Sequence, residues 1–204
     1  HALQHRGQDS TGIVTSDRNN FYAHRGMGQV SEVFSNSTLL NTLKGSMAIG
    51  HNRYGTTGES ALKNVQPLFS ELSIGGVAIA HNGNLTNTHQ LKEKLIESGS
   101  IFQSTSDTEV ILHLLSTASG TLLERLTYAL NSISGAYSLL IMTNNKLIGV
   151  RDPFGIRPLV LGKYNNSYIL SSESCGLDII GAELIRDIEP GEIVIIKEDK
   201  FDSI

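Results

Sequence analysis

From residue 136 to residue 197 the chain is a run of short apolar stretches, most of them joined by connections too short to hold a helix. The stretches cover 136–143, 147–151, 158–163, 167–172, 185–188 and 193–197, with turns at Asn144-Asn145, Asn165-Asn166 and Glu189-Pro190-Gly191-Glu192. Parallel neighbours need a crossover of about a dozen residues or more, so strands this close must pair antiparallel. No other feature narrows the fold as much.

The preceding part of the chain holds helices. The segment 86–98 carries Leu91, Leu95 and Ile96 on one face and stops at Gly99. The segment 106–116 carries Val110, Ile111, Leu114 and Leu115, and Ser106-x-x-Glu109 reads as a capping box. The segment 121–133 carries Leu122, Leu126, Ala129, Leu130 and Ile133. Before them, 11–17 and 21–25 form a hairpin around Asn19-Asn20, and 46–51 and 76–81 are buried strands bounded by glycine. Strands, then helices, then strands give an α+β domain, and two largely antiparallel sheets with helices outside them fit that order.

Composition removes several function classes. A chain of 204 residues with 39% hydrophobic content can bury one full core. A net charge of −4 without a basic run offers nothing to nucleic acid or an anionic membrane surface. No apolar stretch reaches bilayer length and no signal peptide opens the sequence, so a cytoplasmic location is expected. One cysteine excludes an intrachain disulfide and a cysteine-cluster metal site, and the seven histidines show no metal spacing.

Several polar residues sit where chemistry would use them. The run Val77-Ala78-Ile79-Ala80-His81-Asn82-Gly83-Asn84 reads as a buried strand ending in an Asn-Gly turn. On residue types alone that turn is either a plain hairpin or a pair of donors, the Asn82 amide and the Gly83 N–H, converging on an oxyanion. Arg53, past a strand in a glycine-rich loop, is either a surface arginine or a planar fork for a carboxylate. Asp107, in the first turn of a helix, either complements the helix dipole or binds an ammonium group. Glu109 belongs to the capping box, and His81 reads as a buried structural histidine. Cys175 opens a short helix, whose N-terminus would lower its pKa, yet it reads as a packing residue.

Five segments combine into a resemblance: His5-Arg6-Gly7-Gln8-Asp9-Ser10-Thr11-Gly12-Ile13, Gly50-His51-Asn52-Arg53-Tyr54-Gly55-Thr56-Thr57-Gly58, Ser104-Thr105-Ser106-Asp107-Thr108-Glu109, Arg151-Asp152-Pro153-Phe154-Gly155-Ile156-Arg157-Pro158-Leu159, and Ser171-Ser172-Glu173-Ser174. With His81-Asn82-Gly83, in this order and spacing, they resemble the glutaminase domain of the amidophosphoribosyltransferase family, over essentially the whole chain. The resemblance implies the four-layer αββα sandwich of N-terminal-nucleophile hydrolases. It also implies glutamine hydrolysis for phosphoribosylamine synthesis from phosphoribosyl pyrophosphate, the first committed step of purine synthesis.

By resemblance Asn82 and Gly83 form the oxyanion hole. Arg53 binds the α-carboxylate of glutamine and Asp107 its α-ammonium, Tyr54 and Thr56 line the same pocket, and Arg6 and Gly7 lie beside the nucleophile. That family's nucleophile is an N-terminal cysteine, whose α-amino group, with a pKa of about 7.7–8.0, can act as the base. This chain opens with His1. A fragment is therefore expected, lacking the nucleophile strand before His1 and the phosphoribosyltransferase domain after Ile204, and inactive alone. The resemblance places no cofactor in this chain. It assigns Mg2+ to the second domain, leaves an iron–sulfur cluster open, and implies a homo-oligomer. Two alternatives stand beside it: a class II amidotransferase of the glucosamine-6-phosphate synthase type, and a glutamine-binding sensor or scaffold without a nucleophile.

Overall fold

The structure, a computed structural model, describes residues 1–55 and 61–204. Among the described residues twelve strands follow one another: β1 (Ser10–Ser16), β2 (Phe21–Met27), β3 (Met47–Arg53), β4 (Leu68–Leu72), β5 (Gly75–Leu85), β6 (Gly135–Met142), β7 (Leu147–Arg151), β8 (Val160–Tyr164), β9 (Ser167–Ser171), β10 (Glu183–Asp187), β11 (Ile193–Lys197) and β12 (Lys200–Ser203). The helices are α1 (Val30–Val33), α2 (Ser37–Leu40), α3 (Thr88–Glu97), α4 (Asp107–Thr117), α5 (Leu122–Ser132) and α6 (Cys175–Ile180), with 3-10 turns at Gln4–Arg6 and Leu62–Asn64.

All the strand pairings are antiparallel, as the short connections require. Six strands form one sheet in the order β12-β11-β7-β6-β5-β4. The second sheet expected from the sequence is divided into two three-stranded ladders, β2-β1-β3 and β10-β8-β9. Among the described residues no strand joins them, and the edges of β3 and β9 flank an apolar cleft of about 470 Å³.

Alternation along β5 and β6 fixes the layers, because successive side chains of a strand point to opposite faces. Val77, Ile79, Leu139 and Ile141 face α4 and α5, packing with Ile111, Leu115 and Leu126. Ala78, Ala80 and Met142 face the other way, onto Val14 of β1 and Ile49 of β3. Leu140 and Leu147 reach both ladders, and Val194 and Ile196 meet Leu161 and Leu170 of the β8-β9 ladder. Both ladders thus cover one face of the central sheet and α3–α5 the other. The short helices α1 and α6 lie against the ladders' strands, completing four layers. Fully burying a side chain such as Ile79 or Leu139 stabilises the fold by roughly 1.5–3 kcal/mol each.

Two local expectations are corrected. Asn82-Gly83 is not a turn: β5 runs on to Leu85, with Asn82 opposite Ser138 and Gly83 opposite Tyr137 of β6. A Cβ on Gly83 would come within 2.0 Å of the Ala136 carbonyl oxygen, and its φ is +153°. Glycine is there for close approach inside a ladder, not to reverse the chain. The capping box at α4 does not close either. Ser106 Oγ accepts the Thr108 N–H, while the Glu109 carboxylate reaches back to the Gln103 and Ser104 N–H groups at 2.8 and 2.7 Å. The extended turn before the helix offers Glu109 two donors in place of one. Strands β4 and β12 were not anticipated; both are short, of five and four residues.

Candidate active site

One edge of β5 organises the site. Its ladder with β4 ends at Ile79, where β4 begins, because Pro67 has no N–H to continue it. Beyond that point β5 is paired only with β6, and its other edge is open. Gln66 takes over with its side chain: Oε1 accepts the His81 N–H at 2.6 Å. His51 Nε2 donates to the His81 carbonyl at 3.0 Å. Two residues past Gly83, the Leu85 N–H is donated to Asp107 Oδ2 at 3.0 Å. Both N–H groups point away from β6, so the strand's period of two directs the Gly83 N–H to the same edge.

That edge bounds a cavity of about 400 Å³. Arg6, Arg53, Tyr54, Asn82, Gly83 and Asp107 all line it. Six of the eight residues singled out from the sequence therefore meet at one place. Gly7 does not line the cavity. Its backbone lies so near β3 that a Cβ would sit 2.4 Å from the Arg53 carbonyl carbon, so Gly7 seats the first turn against the strand bearing Arg53. Thr56 lies outside the described residues.

The Asn82 Nδ2 amide is buried and, among the described residues, has no hydrogen-bond partner. Arg53 is 5% exposed, and the loop after it is held where Asp9 Oδ2 accepts the Gly55 N–H at 2.6 Å. Asp107 is buried in the cavity wall. Burial pushes its carboxyl up, but the His81 ring at 3.5 Å and the Leu85 and Thr108 N–H groups outweigh this and hold it below the usual carboxylate range. Burial lowers His51 to about 4, so the ring is neutral at pH 7. Donation from Nε2 then leaves Nδ1 as a bare acceptor.

Six further lining residues were not assigned a role from sequence: His5, His51, Asn52, Gln66, Arg157 and Glu173. Glu173 accepts from Arg6 Nη1 and from His5 Nε2, tying the first turn to the loop after β9. Arg157 and Glu173 belong to segments whose residue types were visible, but nothing local said which way the side chains face. Gln66 carried no signal, since its work is to replace a ladder bond. Cys175 does not line the cavity, and its thiol is raised by burial and by Glu173, contrary to the lowering a helix N-terminus would give. Among the described residues no cluster of three or more His, Cys, Asp or Glu could hold a metal ion.

A family profile described as a glutamine amidotransferase domain matches residues 51–178. The chain belongs to the glutamine amidotransferase domain family. The matched span holds Arg53, Asn82, Gly83, Asp107 and Arg157, so most of the cavity wall lies within it.

The domain is similar to the amidophosphoribosyltransferase of Rhizobium etli, 54% identical over all of this chain and 41% of that protein. It is also similar to the Bacillus subtilis amidophosphoribosyltransferase, 46% identical over all of this chain and 43% of that one. A solved B. subtilis glutamine phosphoribosylpyrophosphate amidotransferase, complexed with ADP and GMP, superimposes with a TM-score of 0.94 at 45% identity, over all of this chain and 44% of that one. The chain thus spans less than half the length of these relatives. Its layered antiparallel architecture is theirs, the N-terminal-nucleophile hydrolase fold expected from the resemblance.

Proposed function

We propose that this glutamine amidotransferase domain hydrolyses glutamine to glutamate and ammonia, and that the ammonia serves phosphoribosylamine synthesis in a longer amidophosphoribosyltransferase at the start of purine synthesis. One observation carries the reading. Segments far apart in sequence converge on one cavity whose wall holds a buried, unpartnered amide donor, Asn82 Nδ2. A buried donor without an acceptor is costly unless a ligand supplies one, and a tetrahedral intermediate supplies an oxyanion. The Gly83 N–H on the same strand edge is the second donor.

In this reading Arg53 receives the α-carboxylate of glutamine, and Asp107, held ionised, receives the α-ammonium. Tyr54 and Arg6 shape the pocket mouth. The nucleophile is an N-terminal cysteine on a segment outside the described residues, and its own amino group takes the thiol proton. The cleft between the unpaired edges of β3 and β9 suits such a segment, since an added strand there would find backbone partners on both sides. It adjoins the active cavity, with which it shares His51 and Asn52. Mg2+, and any iron–sulfur cluster, belong to the phosphoribosyltransferase half. The whole protein is a cytoplasmic homo-oligomer.

Joining a cysteine-initiated upstream segment to the 204-residue chain tests this directly. Glutamate release is expected from the joined protein and not from the chain alone, and Cys175→Ala in the joined protein should keep turnover within about twofold. Binding of glutamine by both proteins with turnover by neither would favour a sensor or scaffold. Robust release from the chain alone would overturn the nucleophile assignment.

A further inference from the structure

The loop between β7 and β8 is held by the last residue of β7 and the first residue of the loop. Asp152, fully buried, accepts the N–H groups of Phe154, Ile156 and Arg157 at 3.0, 3.1 and 2.9 Å. The Arg151 guanidinium donates to the carbonyls of Arg157, Gly155 and Ile188 at 2.9, 2.8 and 2.6 Å. Arg157 is therefore clamped at both its N–H and its carbonyl, while its side chain lines the active cavity. Its Nε is buried, and the guanidinium makes no hydrogen bond or ion pair with any described residue.

The other charges around the cavity are differently placed. Arg6 is bonded to Glu173, Asp107 faces the His81 ring, and His51 is neutral. Arg157 is thus a cation fixed in position, with a buried donor and no anion to meet it among the described residues. A planar guanidinium so presented matches a carboxylate better than any neutral group.

We propose that Arg157 is a specificity-determining residue of this pocket, a second guanidinium that with Arg53 selects amides carrying a free α-carboxylate. The proposal rests on the glutaminase reading above and adds to it the residue that rejects amides whose carboxyl end is blocked. No part of the loop's hydrogen bonding uses the Arg157 side chain, so replacing it leaves the clamp intact.

Calorimetric titration of the wild-type chain, Arg157→Ala and Arg157→Lys with L-glutamine and with its α-carboxamide provides the test. Arg157→Ala is expected to weaken L-glutamine binding by about tenfold or more, to leave the α-carboxamide within about twofold, and to unfold at the wild-type temperature. Arg157→Lys should recover part of the loss, since it restores charge without the fork. Equal weakening of both ligands, or no weakening of either, would overturn the assignment. A wild-type chain that binds neither ligand would instead sink the glutaminase reading itself.

Discussion

At the scale of single residues, the proposed function separates groups that would meet charge already on the substrate from groups that would meet charge only as it develops. On that proposal Arg53 and Asp107 belong to the first kind, Asn82 to the second. In the cysteine-bearing protein, Arg53→Ala and Asp107→Ala should each raise KM for glutamine by about tenfold or more, since a charge-assisted contact is worth roughly 1.5–3 kcal/mol. Asn82→Ala should instead lower kcat by roughly 100- to 1000-fold with little change in KM. Steady-state glutaminase kinetics separate the two patterns. On the proposed function, ammonia-dependent synthesis by the longer protein should be spared in all three. Losing that reaction too would make these side chains structural.

His51 gives a pH signature. Its folded pKa is about 4, below the ordinary value near 6.5. Between those values the unfolded chain binds the proton and the folded chain does not, so stability rises with pH across this window. Acidification from pH 7 to pH 4 should therefore cost at most about 3 kcal/mol through this ring. His51→Gln, which keeps a donor for the His81 carbonyl, should show a flatter dependence in urea titrations over that range. An unchanged slope would mean that the ring stays accessible enough to protonate in place.

At the scale of elements, the loop from Arg151 to Arg157 shows one carboxylate deciding a conformation. Three N–H groups converge on Asp152 in partly buried hydrogen bonds, and a hydrogen bond to a charged group is worth roughly 1.5–3 kcal/mol. Asp152→Ala should lower the urea midpoint by an amount equivalent to about 3 kcal/mol or more, and should weaken glutamine binding in step, because Arg157 is displaced with the loop. A stable Asp152→Ala protein with normal binding would show that the clamp is dispensable. Strand β5 teaches a related point. Asn-Gly is a strong local turn signal, but here the Gly83 backbone is pressed against Ala136 and Tyr137 of β6 and the strand continues. A long-range ladder overrode a local preference.

At the scale of the whole molecule, the four inner strands of the central sheet, α3–α5 and the antiparallel pairing were legible in the sequence, because they follow from periodicities of two and 3.6 and from turn lengths. Most of the polar residues that line the cavity stood out by type as well, and the resemblance supplied the roles proposed for them. What the sequence could not fix is which side chains meet. Arg6, Arg53, Asn82, Asp107, Arg157 and Glu173 come from six different stretches, and only packing the ladders on the central sheet brings them to one cavity. Nor could local pattern show that Gln66 would stand in for a missing strand partner, or that the second sheet would divide at β3 and β9, since both depend on backbone neighbours distant along the chain. Sequence by itself determined the elements and the chemistry available to them, because short-range sterics and hydrophobic alternation act between neighbours in the chain. Tertiary structure alone decided the cavity, its unpaired donors and the orientation of Arg157, because those are properties of space enclosed between elements.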